Sequence, residues 1–93
     1  MFERILARLR EKVRLREYVM TSHARKEMRE DGFTIYDVER SVFSGEILER
    51  QKDRQTGEWK YRVRGEAFDG REIEVMVKFS PIGKLIVITV YAS

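Results

Sequence analysis

Helical periodicity confined to the first half of the chain and two-residue alternation confined to the second predict an α+β domain, with glycine- and aspartate-bearing breaks between the segments. About three N-terminal helices should pack on one face of an antiparallel sheet of about four strands. With 93 residues, 42% of them hydrophobic, and a single proline, the chain suffices for one domain over 1–93 and no second. It divides into an N-terminal amphipathic helix within 1–18, a helix-corner-helix over 19–45 and the sheet over 46–93.

Phe2, Ile5, Leu6, Leu9 and Val13 recur at helical spacing, which makes residues 2–17 an amphipathic helix. Arg8, Arg10, Lys12, Arg14 and Arg16 make it the most basic element, diluted by Glu3, Glu11 and Glu17. Tyr18 to Met20 reads as a short apolar link. A second helix over 22–31 is capped by Thr21 or Ser22 and ended by Gly32 in a left-handed conformation, with Met28 and Phe33 as the hydrophobic contact of a Schellman ending. Thr34 caps a third helix over 35–44, Asp37 stands at the capping-box position, and Phe33 and Val38 form the staple. Phe33 would therefore pin both helices. The second helix offers a narrow apolar stripe, Ala24 and Met28; the third buries Ile35, Val38 and Val42, with Phe43 beside them, and ends at Gly45.

Beyond Gly45 the period becomes two. Residues 46–51 form a first strand of ambiguous facing, because Ile47 and Leu48 are adjacent, and 53–57 is a polar turn. Trp59, Tyr61, Val63 and Ala67 alternate with Lys60, Arg62, Arg64 and Glu66, and the first set faces the core. Ile73, Val75, Val77 and Phe79 repeat the pattern over 71–80. A two-residue turn at Asp69-Gly70 would place Arg64 opposite Val75, against the hydrophobic pattern. A three-residue loop, 68–70, with Gly70 left-handed in a bulge, pairs Val63 with Val75 and Arg64 with Glu74 instead. The apolar, β-branched run from Leu85 to Tyr91 reads as the central, most buried strand.

Composition narrows the function classes. The absence of cysteine excludes disulfides and thiolate metal sites, and one histidine falls short of a zinc ligand set, so no metal and no cofactor are expected. The first residues lack a signal-peptide core, and the longest apolar run is too short to span a bilayer, so a soluble, cytoplasmic protein without a membrane role is the expectation. A formal charge of +3 permits an anionic partner; the 38% charged content equally fits a surface laced with ion pairs.

The string Ser22-His23-Ala24, Met28, Gly32, Asp37-Val38 and Gly45, followed by the strand Leu85 to Tyr91, resembles a small prokaryotic family of uncharacterised domains, distantly similar to RelE-, BrnT- and ParE-type toxins. The resemblance covers roughly residues 18–92. It implies a RelE-toxin-like layout and a role in toxin–antitoxin biology, with RNA or the ribosome, or a cognate antitoxin-like protein, as partner. No motif carries catalytic residues over from those toxins.

Candidate residues follow from chemistry. His23, at the first turn of a helix where free N–H groups favour an anion, is a candidate base, with Arg25 and Lys26 extending an anion site; a local hydrogen-bonding role is its structural alternative. Lys60, Arg62, Arg64 and Lys78 share the face away from the apolar set, where they would hold phosphates and stabilise a phosphorane; Glu58, Glu66, Glu72 and Glu74 lie there too, and cross-strand ion pairs are the alternative. Tyr91 either closes the core or presents its hydroxyl at the sheet end, and Asp37 is better explained by capping than by catalysis. Three functions fit: a metal-free endoribonuclease using His23, Arg62, Arg64, Lys78 or Tyr91; a noncatalytic RNA-binding module using Arg25, Lys26, Lys60, Arg62 and Arg64; and a protein-interaction domain, such as a toxin–antitoxin component or a homodimer. The family resemblance favours the first.

Overall fold

The computed structural model describes all residues, 1–93. The chain runs α1 (Glu3–Arg14), β1 (Tyr18–Met20), α2 (Ser22–Glu30), α3 (Ile35–Ser44), β2 (Glu46–Lys52), β3 (Trp59–Glu66), β4 (Glu72–Phe79) and β5 (Leu85–Ala92). The strands form one sheet in the order β1-β5-β4-β3-β2. The domain is α+β with three helices, but its sheet is five-stranded and mixed rather than four-stranded and antiparallel. The added strand is the Tyr18–Met20 segment expected as a link. It runs parallel to β5, Tyr18 opposite Leu85 and Met20 opposite Val87, and three residues are too few to show an alternation in sequence.

The helix-corner-helix forms as its residues dictate. Thr21 accepts from the Ala24 N–H at 3.0 Å, and Gly32 is left-handed at φ +72°. The Phe33 N–H donates to the Met28 carbonyl at 2.9 Å and the Gly32 N–H to that of Arg29 at 3.1 Å, the two bonds of a Schellman ending. Thr34 and Asp37 close a reciprocal capping box at the start of α3. Asp37 does more than cap: its second oxygen accepts from the Phe68 N–H at 2.9 Å and so ties α3 to the β3–β4 loop. Burial opposes ionisation there, yet the amides of Phe68 and Thr34 outweigh it and hold the carboxyl below its ordinary range.

Leu9 and Val13 of α1 and Val38 and Val42 of α3 meet Val63, Ile73, Val75, Val77, Leu85, Val87 and Val90 of the sheet in one buried cluster. Phe33 is 4% exposed within it. Arg10 fastens the two covering helices together, donating to the Val42 and Gly45 carbonyls at the end of α3 at 3.1 and 3.0 Å. The β3–β4 connection is the bulged loop the pattern requires: Gly70 has φ +88°, and Val63 pairs with Val75 and Arg64 with Glu74.

Three expectations need correction. β4, not β5, is central. The run from Leu85 to Tyr91 lies between β4 and the short edge strand β1, and only its Leu85, Val87 and Val90 are buried. Trp59 has the core-facing parity but is 40% exposed. It lies at the start of β3, where Arg50 and Lys52 of β2 approach its ring centroid to 4.2 and 5.7 Å. Phe43 points away from Val42 and is 46% exposed. The Ile47–Leu48 ambiguity is resolved by a bulge in β2 between Ile47 and Glu49, which buries Ile47.

Both sheet edges are protected. β2 presents Glu46, Glu49, Arg50 and Lys52 and its bulge. On the other side, beyond the end of β1, α2 takes over: the Val90 and Ala92 N–H groups of β5 donate to Glu27 at 3.1 Å and to Asp31 at 3.0 Å. No helix is long and apolar enough to cross a membrane.

Candidate functional site: an arginine cleft

The helices leave one sheet face uncovered, and Lys60, Arg62, Arg64, Lys78 and Tyr91 project from it as their parity demands. Every cation there is already matched. Arg62 bonds Glu49 at 3.0 Å and Glu74 at 2.8 Å, Arg64 reaches Glu74 at 3.3 Å, Lys78 meets Glu58 at 3.0 Å and Lys60 lies 4.0 Å from Asp53. The four cations are matched by Glu49, Glu74, Glu58 and Asp53, and with Glu66 and Glu72 on the same strands the face presents no net positive field.

At its centre stands Glu74, 4% exposed although it is on the open face. Besides the two arginines it accepts from the Tyr91 hydroxyl at 2.8 Å and the Ser93 hydroxyl at 2.9 Å. Burial works to raise its pKa, but Arg62, Tyr91 and Ser93 win and lower it to about 2. Burial, and then the Glu74 carboxylate, pushes the Tyr91 hydroxyl up from its ordinary value. Tyr91 is thereby a donor to a fixed carboxylate. The network is saturated, which suits cross-strand stabilisation.

His23 stands at the start of α2 with Nε2 3.2 Å from Glu27 Oε1, the oxygen that also holds the Val90 amide. Its side chain is exposed. At 100° per residue, His23 and Glu27 lie on the opposite side of α2 from Arg25 and Arg29. The structure therefore separates His23 from the sheet-face cations and from Arg25. Lys26 lies 3.9 Å from Glu30.

A different set of cations converges. Arg16, Arg25 and Arg29 line one cleft of about 370 Å³ between the α1–β1 turn, β1 and α2, over a floor that includes Tyr18, Met28 and Ile35. None of the three guanidinium groups has a carboxylate or hydrogen-bond partner, in contrast to the arginines of the sheet face. Arg16 is the one non-glycine residue with positive φ, +57°. It fills the left-handed position of the Schellman ending of α1, where the Glu17 N–H donates to the Lys12 carbonyl at 2.8 Å and the Arg16 N–H to that of Val13 at 3.0 Å. Glycine fills such a position without strain, and an arginine there costs about 1 kcal/mol.

Tyr18 extends the cleft toward α3 by donating its hydroxyl to Glu39. Burial, the Glu39 bond and charge and, to a smaller extent, Tyr36 hold that hydroxyl well above its ordinary pKa.

Of the sequence candidates only Arg25 lies in this cleft. The spacing of Arg25 and Arg29 by four residues on one helix face was a usable signal. Arg16 carried none, because its alignment with them depends on where α1 stops.

No curated protein and no solved structure matches the chain. A family model does: it is described as a domain of unknown function, DUF4258, and it matches residues 20–92, from the end of β1 to the end of β5. Arg25 and Arg29 fall inside that span, while α1 and Arg16 precede it. The chain belongs to the DUF4258 family.

Proposed function

We propose that this domain binds RNA through the arginine cleft and acts without cleaving it. The observation that carries this reading is the convergence of Arg16, Arg25 and Arg29, all free of carboxylate partners, with Arg16 in a backbone conformation that disfavours it. Strain retained at a polar surface position points to a use for that side chain. Guanidinium groups pair with phosphate oxygens two bonds at a time, and an apolar floor between them accommodates a sugar or base. The noncatalytic form is favoured because His23 stands on the opposite side of α2 from Arg25 and Arg29, and the carboxylate that reaches the cleft, Glu39, is already taken up by the Tyr18 hydroxyl.

The test is salt-dependent RNA binding by the parent and by Arg16→Gly. Because glycine suits the left-handed turn, Arg16→Gly should be as stable as the parent or more stable by about 0.5 kcal/mol, yet bind RNA more weakly and with a shallower salt slope. A loss of affinity then has no folding explanation. Parent protein whose affinity for RNA is absent or indifferent to salt would overturn the reading. RNA cleavage in chelator that disappears in His23→Ala would replace it with the endoribonuclease reading.

A further inference from the structure

Three large aromatic side chains are left in solvent on one side of this small domain. Tyr36 and Phe43 project from the outer face of α3, 58% and 46% exposed, and Phe68 from the β3–β4 loop, 67% exposed. They line one shallow hollow of about 240 Å³ with Glu39 and Arg40. The Arg40 guanidinium lies over the Phe68 ring, 4.9 Å from its centroid, and has no carboxylate partner. Phe68 is held in place rather than dangling, since its backbone N–H is bonded to Asp37.

The hollow and the arginine cleft are neighbours. Ile35 in the cleft and Tyr36 in the hollow are successive residues at the start of α3, and the Tyr18 hydroxyl of the cleft bonds Glu39 of the hollow. Joined through the Tyr18–Glu39 bond, the two surfaces offer unpaired guanidinium groups at one end and flat apolar rings with a further arginine at the other, with the Glu39 carboxylate between them engaged by the tyrosine. A duplex hides its base faces, whereas a single strand presents phosphates and unstacked bases at successive positions. From this juxtaposition we infer that the domain selects single-stranded RNA, with the phosphates on Arg16, Arg25 and Arg29 and unpaired bases stacked on Tyr36, Phe43 and Phe68.

This inference rests on the RNA-binding reading, and the experiment separates the two. Fluorescence anisotropy would be measured with a labelled oligouridine, a matched abasic ribose-phosphate strand and a duplex of the same length. The proteins are the parent, Arg16→Gly, and a Tyr36→Ser/Phe43→Ser/Phe68→Ser variant that removes only exposed rings. The parent should bind the single strand at least tenfold more tightly than either comparison strand, as stacking of one or two bases gives. In the aromatic variant that preference should collapse while the salt slope stays. In Arg16→Gly the slope should fall while the preference stays.

Salt-dependent binding by the parent with equal affinity for all three strands, or a preference unchanged in the aromatic variant, would overturn the inference and leave the RNA reading standing. Absence of salt-dependent binding to any strand would remove both. A concentration-dependent mass without RNA, abolished by the aromatic variant, would assign the hollow to a second copy of the chain and overturn the inference as well.

Discussion

Arg62 reaches diagonally across the sheet to Glu74 at 2.8 Å, while Arg64, directly opposite Glu74 in the ladder, remains at 3.3 Å. The diagonal reach lets one carboxylate serve both arginines and frees Arg62 to bond Glu49 as well. Glu74 has a folded pKa of about 2, below its value in the unfolded chain. Its contribution to stability is therefore complete at neutral pH and is lost as pH falls from about 5 toward 2. Glu74→Gln should cost about 2 kcal/mol at pH 7 and flatten this acid limb. Urea denaturation across pH checks it, and an acid limb as steep in the variant as in the parent would contradict the assignment.

Gly65 should tolerate no side chain. A Cβ there would lie 2.7 Å from the Cα of Ser41 and overlap its carbonyl. Ser41 is itself fully buried, so neither α3 nor β3 has room to yield. Gly65→Ala should cost about 3 kcal/mol by overpacking, read as a fall in the urea midpoint. A midpoint within error of the parent would show that α3 can lift from the sheet.

Phe33 should be the costliest single residue of the corner. It is packed below α2 and α3, and the Arg71 guanidinium covers its ring at 4.2 Å while donating to the Asp31 carbonyl at 2.8 Å. Phe33→Ala should cost about 3 kcal/mol and lower the melting temperature by more than about 10 °C. Tyr36→Ala, three residues on, should leave it nearly unchanged because Tyr36 is exposed.

Glu27 and Asp31 stand in for a continuation of β1 along the part of β5 that β1 does not reach. Removing a carboxylate frees one amide, so Glu27→Ala should speed hydrogen exchange at part-buried Val90 with a cost of about 1 kcal/mol, and Asp31→Ala should do so at Ala92, whose exposed amide turns to water at a smaller cost. Protection factors at those two amides decide it. His23→Ala should leave them close to the parent if His23 is only a surface companion of Glu27.

The corner, the third helix and the β3–β4 register were legible in the sequence because their causes are local. Thr21, Gly32, Thr34 and Asp37 each act within a few residues, and alternation over β3 and β4 permits one register only. Even the pairing of Arg64 with Glu74 followed from that register. Less was legible of the sheet as a whole: Tyr18–Met20 gains strand structure only from distant Leu85–Val87, and the rank of β5 depends on what lies beside it. The candidate site was the least legible. Lys60, Arg62, Arg64 and Lys78 carry charge in sequence, but whether a charge is free depends on which carboxylates fold against it, and here all four are matched. Arg16, Arg25 and Arg29 come together only because α1 ends in a left-handed turn and β1 docks beside α2. Local chemistry thus determined the elements and their caps, while long-range pairing decided which cations remain without a carboxylate.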